Sequence, residues 1–272
     1  MMRSRSAWIG AVILLLVLIA AGLGSWLAPY APNAQVLSDQ LLAPSSTHLM
    51  GTDQFGRDIW SRVLAGTRIA LLTGLIADGI ALLLGTLLGL TAAYWGGWAD
   101  SLIMRSMDVI LAFPYLLLAM MVMAILGPGL YQAMSAIGIV YVPQFARLVR
   151  SAALEVKAQS FVEAAAALGA SDGRIIARHI FVNVTPPIIV QATLTFGTAI
   201  VEAAGLGFLG LGAQPPTPEW GAMLADGRSY VLSAWWMATF PGLAIMVTVL
   251  GFNLLGDALR DALDPRMRGT YR

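Results

Sequence analysis

The chain has 272 residues, of which 58% are hydrophobic and only 11% are charged, well under the roughly 25% charged residues of a soluble domain. That balance describes an integral membrane protein. Its formal net charge is +1 and it has no cysteine, which excludes disulfides and thiolate chemistry.

A membrane-spanning helix needs about 20 apolar residues, within a range of roughly 17 to 25. Six stretches meet that requirement, near 7–27, 70–93, 109–126, 130–146, 187–208 and 235–256, and they predict an all-α protein with six transmembrane helices. The fourth is the shortest and carries Pro143 near its end. The first follows Arg3 and Arg5 as a signal peptide would, but its apolar run is long for one and no A-x-A cleavage pattern follows. It is read as an uncleaved span.

Cytoplasmic loops carry the excess of Lys and Arg. With the N-terminus inside, twelve basic residues fall on the inner side and four, Arg57, Arg62, Arg68 and Arg228, on the outer, so both termini are expected in the cytoplasm. All eight tryptophans lie near span ends or in outer segments, as amphipathic rings do at headgroup depth.

Three segments outside the spans are long enough to matter. Residues 28–69 face outward and end in GTDQFGRDIWSRVLAGTR, where Ile59, Trp60, Val63 and Leu64 share a helical face opposite Arg57, Asp58, Ser61 and Arg62. The pattern predicts a helix lying on the outer membrane surface with its arginines snorkelling. Residues 209–234, also outside, contain GAQPPTPEWGAML, a proline-rich turn leading into a short helix.

Residues 147–186 face the cytoplasm and hold FVEAAAALGASDGRIIARHI. Alanine and leucine favour a helix over Phe161–Leu168, with Gly169 at its left-handed stop and Ser171 capping a second helix. Glu163 in the first turn suits the positive end of the helix dipole, and small side chains let another surface come close. In the second helix Ile175, Ile176, His179 and Ile180 form one face opposite Arg174 and Arg178.

Ionisable side chains inside spans are costly and mark a cavity, a partner or a satisfied pair; Asp78 and Glu202 are therefore candidates for the translocation pathway. Gly85 and Gly89 have the spacing of close helix packing, expected within the chain. After the sixth span, Asp257, Arg260 and Asp264 read as support for the inner end, Arg260 and Asp264 being an i, i+4 pair and Asp264 preceding Pro265 at a helix stop. His48 and His179 fall on opposite sides of the membrane, so no metal site is expected. Of sixteen basic residues only Lys157 is lysine, and Ala158 follows it where a phosphate-binding loop needs Ser or Thr, which excludes a Walker-type ATP site.

EAAAALG, residues 163–169, resembles the coupling-helix signature of importer-type ABC permeases: Glu-Ala-Ala, three residues, then Gly, in the last large cytoplasmic loop. LMGTDQFGRDIWSRVLAGTR, GFLGLGAQPPTPEWGAML and FNLLGDALRDALDPR are similar to the dipeptide/oligopeptide/nickel branch of that family, specifically its second permease subunit. The resemblance covers nearly the whole chain. It implies the type I ABC importer permease fold, with an N-terminal span and extracytoplasmic segment over 1–69 and a permease core over 70–272.

It further implies that Glu163, Ala164, Ala165 and Gly169 dock on a separate ATPase, and that this chain has no catalysis and no cofactor of its own, ATP and Mg being bound by the ATPase. The implied partners are a second permease subunit, one or two ATPase subunits, an extracytoplasmic substrate-binding protein and membrane lipid, with no nucleic acid. The implied place is the bacterial inner membrane and the implied cargo short peptides, with nickel complexes, glutathione or opines as neighbouring alternatives. One position departs from the signature: Val182 stands where the motif has proline, and Pro186 and Pro187 follow.

A proton-coupled secondary transporter using Asp78 and Glu202 is the competing class. Such folds pair broken helices in corresponding halves, and no internal repeat is visible. A membrane hydrolase has less support still, since H-E-x-x-H and G-x-S-x-G are both absent.

Overall fold

A computed structural model describes residues 5–263. Among them regular structure is helical, with one isolated antiparallel bridge between Thr52 and Asp58 and no strand. The first helix, α1, covers Arg5–Leu27 and the last, α10, covers Trp236–Leu263. The two meet through glycine: a Cβ at Gly10 would lie 2.8 Å from Leu254 Cβ, and one at Gly251 would lie 2.7 Å from Ile13 Cγ2. Small residues allow this approach where no hydrophobic force between helices exists. Leu15, Leu16 and Leu18 on α1 are more than half exposed, as lipid-facing side chains are.

Helix α2 runs Ile59–Trp95, 37 residues. At about 1.5 Å per residue it is roughly 55 Å long, nearly twice the about 30 Å hydrocarbon core. Asp58 caps it, its Oδ2 accepting the Ser61 N–H at 2.8 Å. The separate surface helix expected around residues 57–64 is therefore absent; from Ile59 on, these residues are the first turns of α2. Arg57 and Arg62 do not snorkel either. They are 4% and 3% exposed, turned inward onto Asp53, because a counter-charge was available that the amphipathic pattern did not reveal.

Helix α5, Leu130–Lys157, is the principal neighbour of α2. A Cβ at Gly85 would come 2.4 Å from Phe145 Cβ, and one at Gly89 would come 2.6 Å from the Ala146 carbonyl, so this glycine pair packs within the chain. Between them α3, Gly97–Leu111, and α4, Tyr115–Leu126, meet at 96°. The expected third span at 109–126 is thus broken. Pro114 sits at the break and disfavours helical backbone at Phe113.

After α5 come the short α6, Ser160–Ala167, and a 37-residue rod over Asp172–Phe208. The rod joins α7, Asp172–Arg174, a π-helical turn at Ile175–Ile180 and α8, Phe181–Phe208. Pro186 and Pro187 lie inside α8 without ending it, and Val182 is exposed on the same stretch.

Among the described residues four helices, α1, α2, the rod and α10, are long and apolar enough to cross a membrane, and the bent α3–α4 pair would make a fifth. Helix α5, which holds the expected fourth span at 130–146, is as long as α10 but is not apolar enough to stand among them, so the expected count of six spans is reduced to four or five among the described residues.

One end of the bundle, the crown, is built from residues 28–58 and 209–235. It includes α9, Trp220–Gly227, capped by Glu219, whose carboxylate accepts the Gly221 and Ala222 N–H groups at 2.7 and 2.8 Å. Trp220 Nε1 donates to the Val63 carbonyl at 3.1 Å and Trp236 Nε1 to that of Thr52 at 3.0 Å. These two rings, 2% and 6% exposed, are core and not headgroup anchors. The opposite end, the base, holds α6 and its flanking turns.

Candidate functional site

The base is organised around α6. Gly169 stops it at φ +81°, and the Gly169 N–H donates to the Ala166 carbonyl at 2.9 Å while the Ala170 N–H reaches that of Ala165 at 3.1 Å. That pair of bonds is a Schellman stop, which glycine favours because a Cβ is strained there. Open space surrounds the position where a Gly169 Cβ would sit, so the backbone alone demands glycine.

Only one α6 side chain is buried. Val162, 5% exposed, joins Leu90 and Ala93 of α2, Val149 and Ala153 of α5, and Ile175, Ile180, Val184 and Ile188 of the rod in one apolar cluster. Seating it there turns the rest of α6 outward. Glu163 and Ala164 are exposed and Ala165 is half-buried, while Leu168 is 88% and Phe161 44% exposed. Among the described residues no ion pair engages Glu163. The face carries exposed apolar groups between small side chains, fitted to a protein groove more than to water.

The helix ends at the base are tied by charge. Arg150 of α5 grips Asp100 of α3 through two N–H donors, and Arg147 pairs with Asp108. Lys157 and Tyr94 join α5, α2 and Asp172; all three went unassigned by sequence reasoning, although Lys157 stood out as the only lysine.

The two intramembrane carboxylates do not meet. Glu202 of α8 accepts the hydrogen of the Tyr141 hydroxyl from α5, a satisfied interhelical pair. Asp78 of α2 is 7% exposed and its Oδ1 has no hydrogen-bond partner. Tyr141 was the unread half of the pair; nothing in the sequence links it to a residue 61 positions away.

Asp257 and Arg260 are exposed on the last turns of α10, and Arg260 borders a cavity of about 390 Å³ walled by Leu148, Pro187 and Leu194. Asp264, the expected i, i+4 partner of Arg260, lies outside the described residues. Among the described residues no group of three or more His, Asp or Glu could hold a metal ion.

Residues 85–269 match the family of binding-protein-dependent transport system inner membrane components, and residues 1–44 match the N-terminal transmembrane domain of oligopeptide transport permease C. The chain is 51% identical to the dipeptide transport system permease protein of Alkalihalophilus pseudofirmus, over 98% of this chain and 88% of that one. It is also 51% identical to the probable D,D-dipeptide transport system permease protein of Escherichia coli K12, over 95% and 87%. A glutathione transport system permease protein of Escherichia coli O6 is 49% identical, over 98% and 88%.

Among solved structures, an inward-facing methionine ABC transporter superposes with a TM-score of 0.59 at 20% identity, covering 75% of this chain and 96% of that one. An amino acid ABC transporter gives 0.57 at 16%, covering 74% and 94%. At that identity the likeness concerns the fold, which is that of type I ABC importer permeases. The helices, the matched length and the relatives agree: this chain belongs to the family of binding-protein-dependent transport system inner membrane components, a transport permease and not a catalytic enzyme.

Proposed function

We propose that this chain is one of two homologous membrane-spanning subunits of an ATP-driven importer that carries short peptides into the bacterial cell. The base faces the cytoplasm, where Glu163, Ala164, Ala165 and Gly169 form the docking edge for one of one or two separate ATPase subunits that bind ATP and Mg. The crown faces outward and receives cargo from a substrate-binding protein. The observation that carries this reading is α6 itself, an eight-residue helix held by a single buried valine while Phe161 and Leu168 stand exposed.

The orientation rests on the twelve basic residues assigned to the base side and the termini against four on the crown side, and it puts both termini in the cytoplasm. On this reading residues 1–69 form an N-terminal span with its outer segment, and residues 70–272 form the core. Dipeptide permeases among the relatives support peptide cargo; the glutathione permease keeps a tripeptide thiol within the same range. Weak, sparse polar lining suits a zwitterionic cargo that must be released, and Asp78, buried with its Oδ1 lacking a hydrogen-bond partner, is the candidate to meet its ammonium.

Uptake into proteoliposomes holding the whole transporter and its binding protein tests the proposal, with labelled dipeptides, tripeptides, glutathione and nickel as cargo. ATP-dependent peptide uptake is expected, abolished by Glu163→Lys and by Gly169→Val while membrane insertion persists. Nickel uptake without peptide uptake would remove the cargo assignment, and uptake surviving both substitutions would move the docking edge elsewhere.

A further inference from the structure

Lys157 is the last residue of α5 and the only lysine among sixteen basic residues. Its Nζ donates to the Ala93 carbonyl at 3.3 Å and to the Tyr94 carbonyl at 2.5 Å, and lies 5.3 Å from the centre of the Tyr94 ring. Those carbonyls belong to the final turn of α2, where helix geometry leaves acceptors unsatisfied and the dipole favours a cation. An ammonium is a compact point charge whose three donors can serve two carbonyls at once, whereas the planar guanidinium fork suits carboxylates. The exception to an otherwise all-arginine usage thus has a chemical reason.

The same tyrosine reaches the other way. Its hydroxyl donates to Asp172 Oδ1 at 2.6 Å, across 78 residues of sequence, and Asp172 opens α7 directly after the turn that ends α6. Three elements therefore converge on one side chain: the end of α2, the end of α5 and the start of α7 after the α6 turn.

We propose that Lys157, Tyr94 and Asp172 form a clasp through which displacement of α6 is passed to α2. The clasp rests on the reading of α6 as the ATPase-docking helix. The chain links α6 covalently to α5 through Ala158 and Gln159 and to the rod through Leu168–Ser171, but α2 has no covalent connection to this loop. Its other ties are apolar: the cluster of Leu90 and Ala93 with Val162 and its neighbours, and the glycine packing of α2 on α5. Apolar contact is non-directional and slides, whereas hydrogen bonds of fixed length and direction resist both pull and shear. The three side chains are positioning residues, acting on one another and on the end of α2.

The test compares the whole transporter with its Tyr94→Phe and Lys157→Met variants in proteoliposomes, measuring ATPase copurification, basal ATP hydrolysis and peptide taken up per ATP hydrolysed. Tyr94→Phe removes one oxygen from a solvent-exposed hydrogen bond, so copurification and basal hydrolysis are expected to persist. Peptide per ATP is expected to fall about fivefold or more, the lower bound of ordinary coupling between sites. Combining Tyr94→Phe with Asp172→Asn is expected to add nothing further, since both cut the same bond.

An unchanged peptide-to-ATP ratio in both single variants would overturn the clasp, as would loss of the ATPase from Tyr94→Phe, which would make the tyrosine a structural support for docking. Leu168→Glu separates the underlying reading: loss of the copurifying ATPase is expected, and its retention with full uptake would refute docking at α6 whatever Tyr94 does.

Discussion

The two ends of the bundle spend their charged residues in opposite ways. In the crown, Asp53, Arg57, Asp58 and Arg62 are all 5% exposed or less, and each has several partners. Asp53 accepts from the Arg57 side chain and from the Phe55 and Arg57 N–H groups, Arg57 also approaches Asp226 at 3.5 Å, and Arg62 Nη1 donates to the Pro32 carbonyl and to Asn33. Asp58 bonds His48 Nδ1 at 2.9 Å and both polar groups of Ser61. In the base, Arg174, Arg178, Glu163 and Asp172 are exposed, and the moving part proposed there is held by one valine and one tyrosine. A buried network fixes geometry, because each member left alone would be a desolvated charge; an exposed helix on a greasy pivot can be pushed. The crown is built as a rigid frame, and on the proposed reading of α6 the base works as a lever.

The largest expected effect breaks the frame. Asp53→Ala removes the carboxylate that two buried guanidinium groups share, and removing one partner of a buried pair costs about 3–5 kcal/mol. Thermal unfolding in detergent should show this as a large fall in melting temperature, or as failure of the variant to accumulate. A cost under about 1 kcal/mol would mean that the crown's charges are hydrated in the working protein, as exposed pairs are, and the contrast between the ends would collapse.

That contrast was only half legible in the sequence. The glycine stop at Gly169 and the alanine helix before it could be read directly, because both are local backbone preferences. The crown was misread for a physical reason: Arg57 and Arg62 opposite Ile59, Val63 and Leu64 give the same periodicity whether the charged face meets water or a buried carboxylate, and Asp53 carries no mark that tells which. Four spans follow from apolar length alone. The expected third span is broken at Phe113–Pro114, a signal present in the sequence but outweighed by the apolar run around it. Lys157 was visible as an oddity, yet its partners are backbone carbonyls, which any sequence would supply. Glu202 needed Tyr141, and pairing across helices leaves no local pattern.

A smaller effect sharpens the comparison through pH. Glu219 caps α9 in the crown, and burial pushes its carboxyl up to about 7 even though two backbone N–H groups favour the anion. Unfolded, it would titrate near about 4.3. The folded crown thus holds this proton to higher pH than the unfolded chain does, so the stability it contributes is complete below the unfolded value and is lost as pH rises through about 7. At about 1.4 kcal/mol per unit, raising pH from about 5.5 to about 7 should destabilise the protein by at most about 2 kcal/mol. Glu219→Gln should flatten that slope. The measurement is melting temperature against pH for both proteins, and parallel curves would show that Glu219 is solvated and the crown less tightly closed.

The smallest effect belongs to the base. Arg147 and Asp108 are the same chemical pair as Arg57 and Asp53, but their side chains are 51% and 58% exposed against 4% and 7%. Water already solvates both groups, ordering two long side chains costs entropy, and salt screens what attraction remains over a Debye length of about 10 Å at 0.1 M. Asp108→Asn should therefore change stability by less than about 1 kcal/mol, and the difference should vanish as salt is raised. Asp53→Ala, whose charges lie out of reach of counter-ions, should keep its full cost at every salt concentration. Running the two variants side by side across a salt series sets an exposed pair against a buried one. If Asp108→Asn proves as costly and as salt-insensitive as Asp53→Ala, then α3 and α5 are clamped at the base as firmly as the crown is, and any movement passed upward from α6 would have to go through α2 and the rod alone.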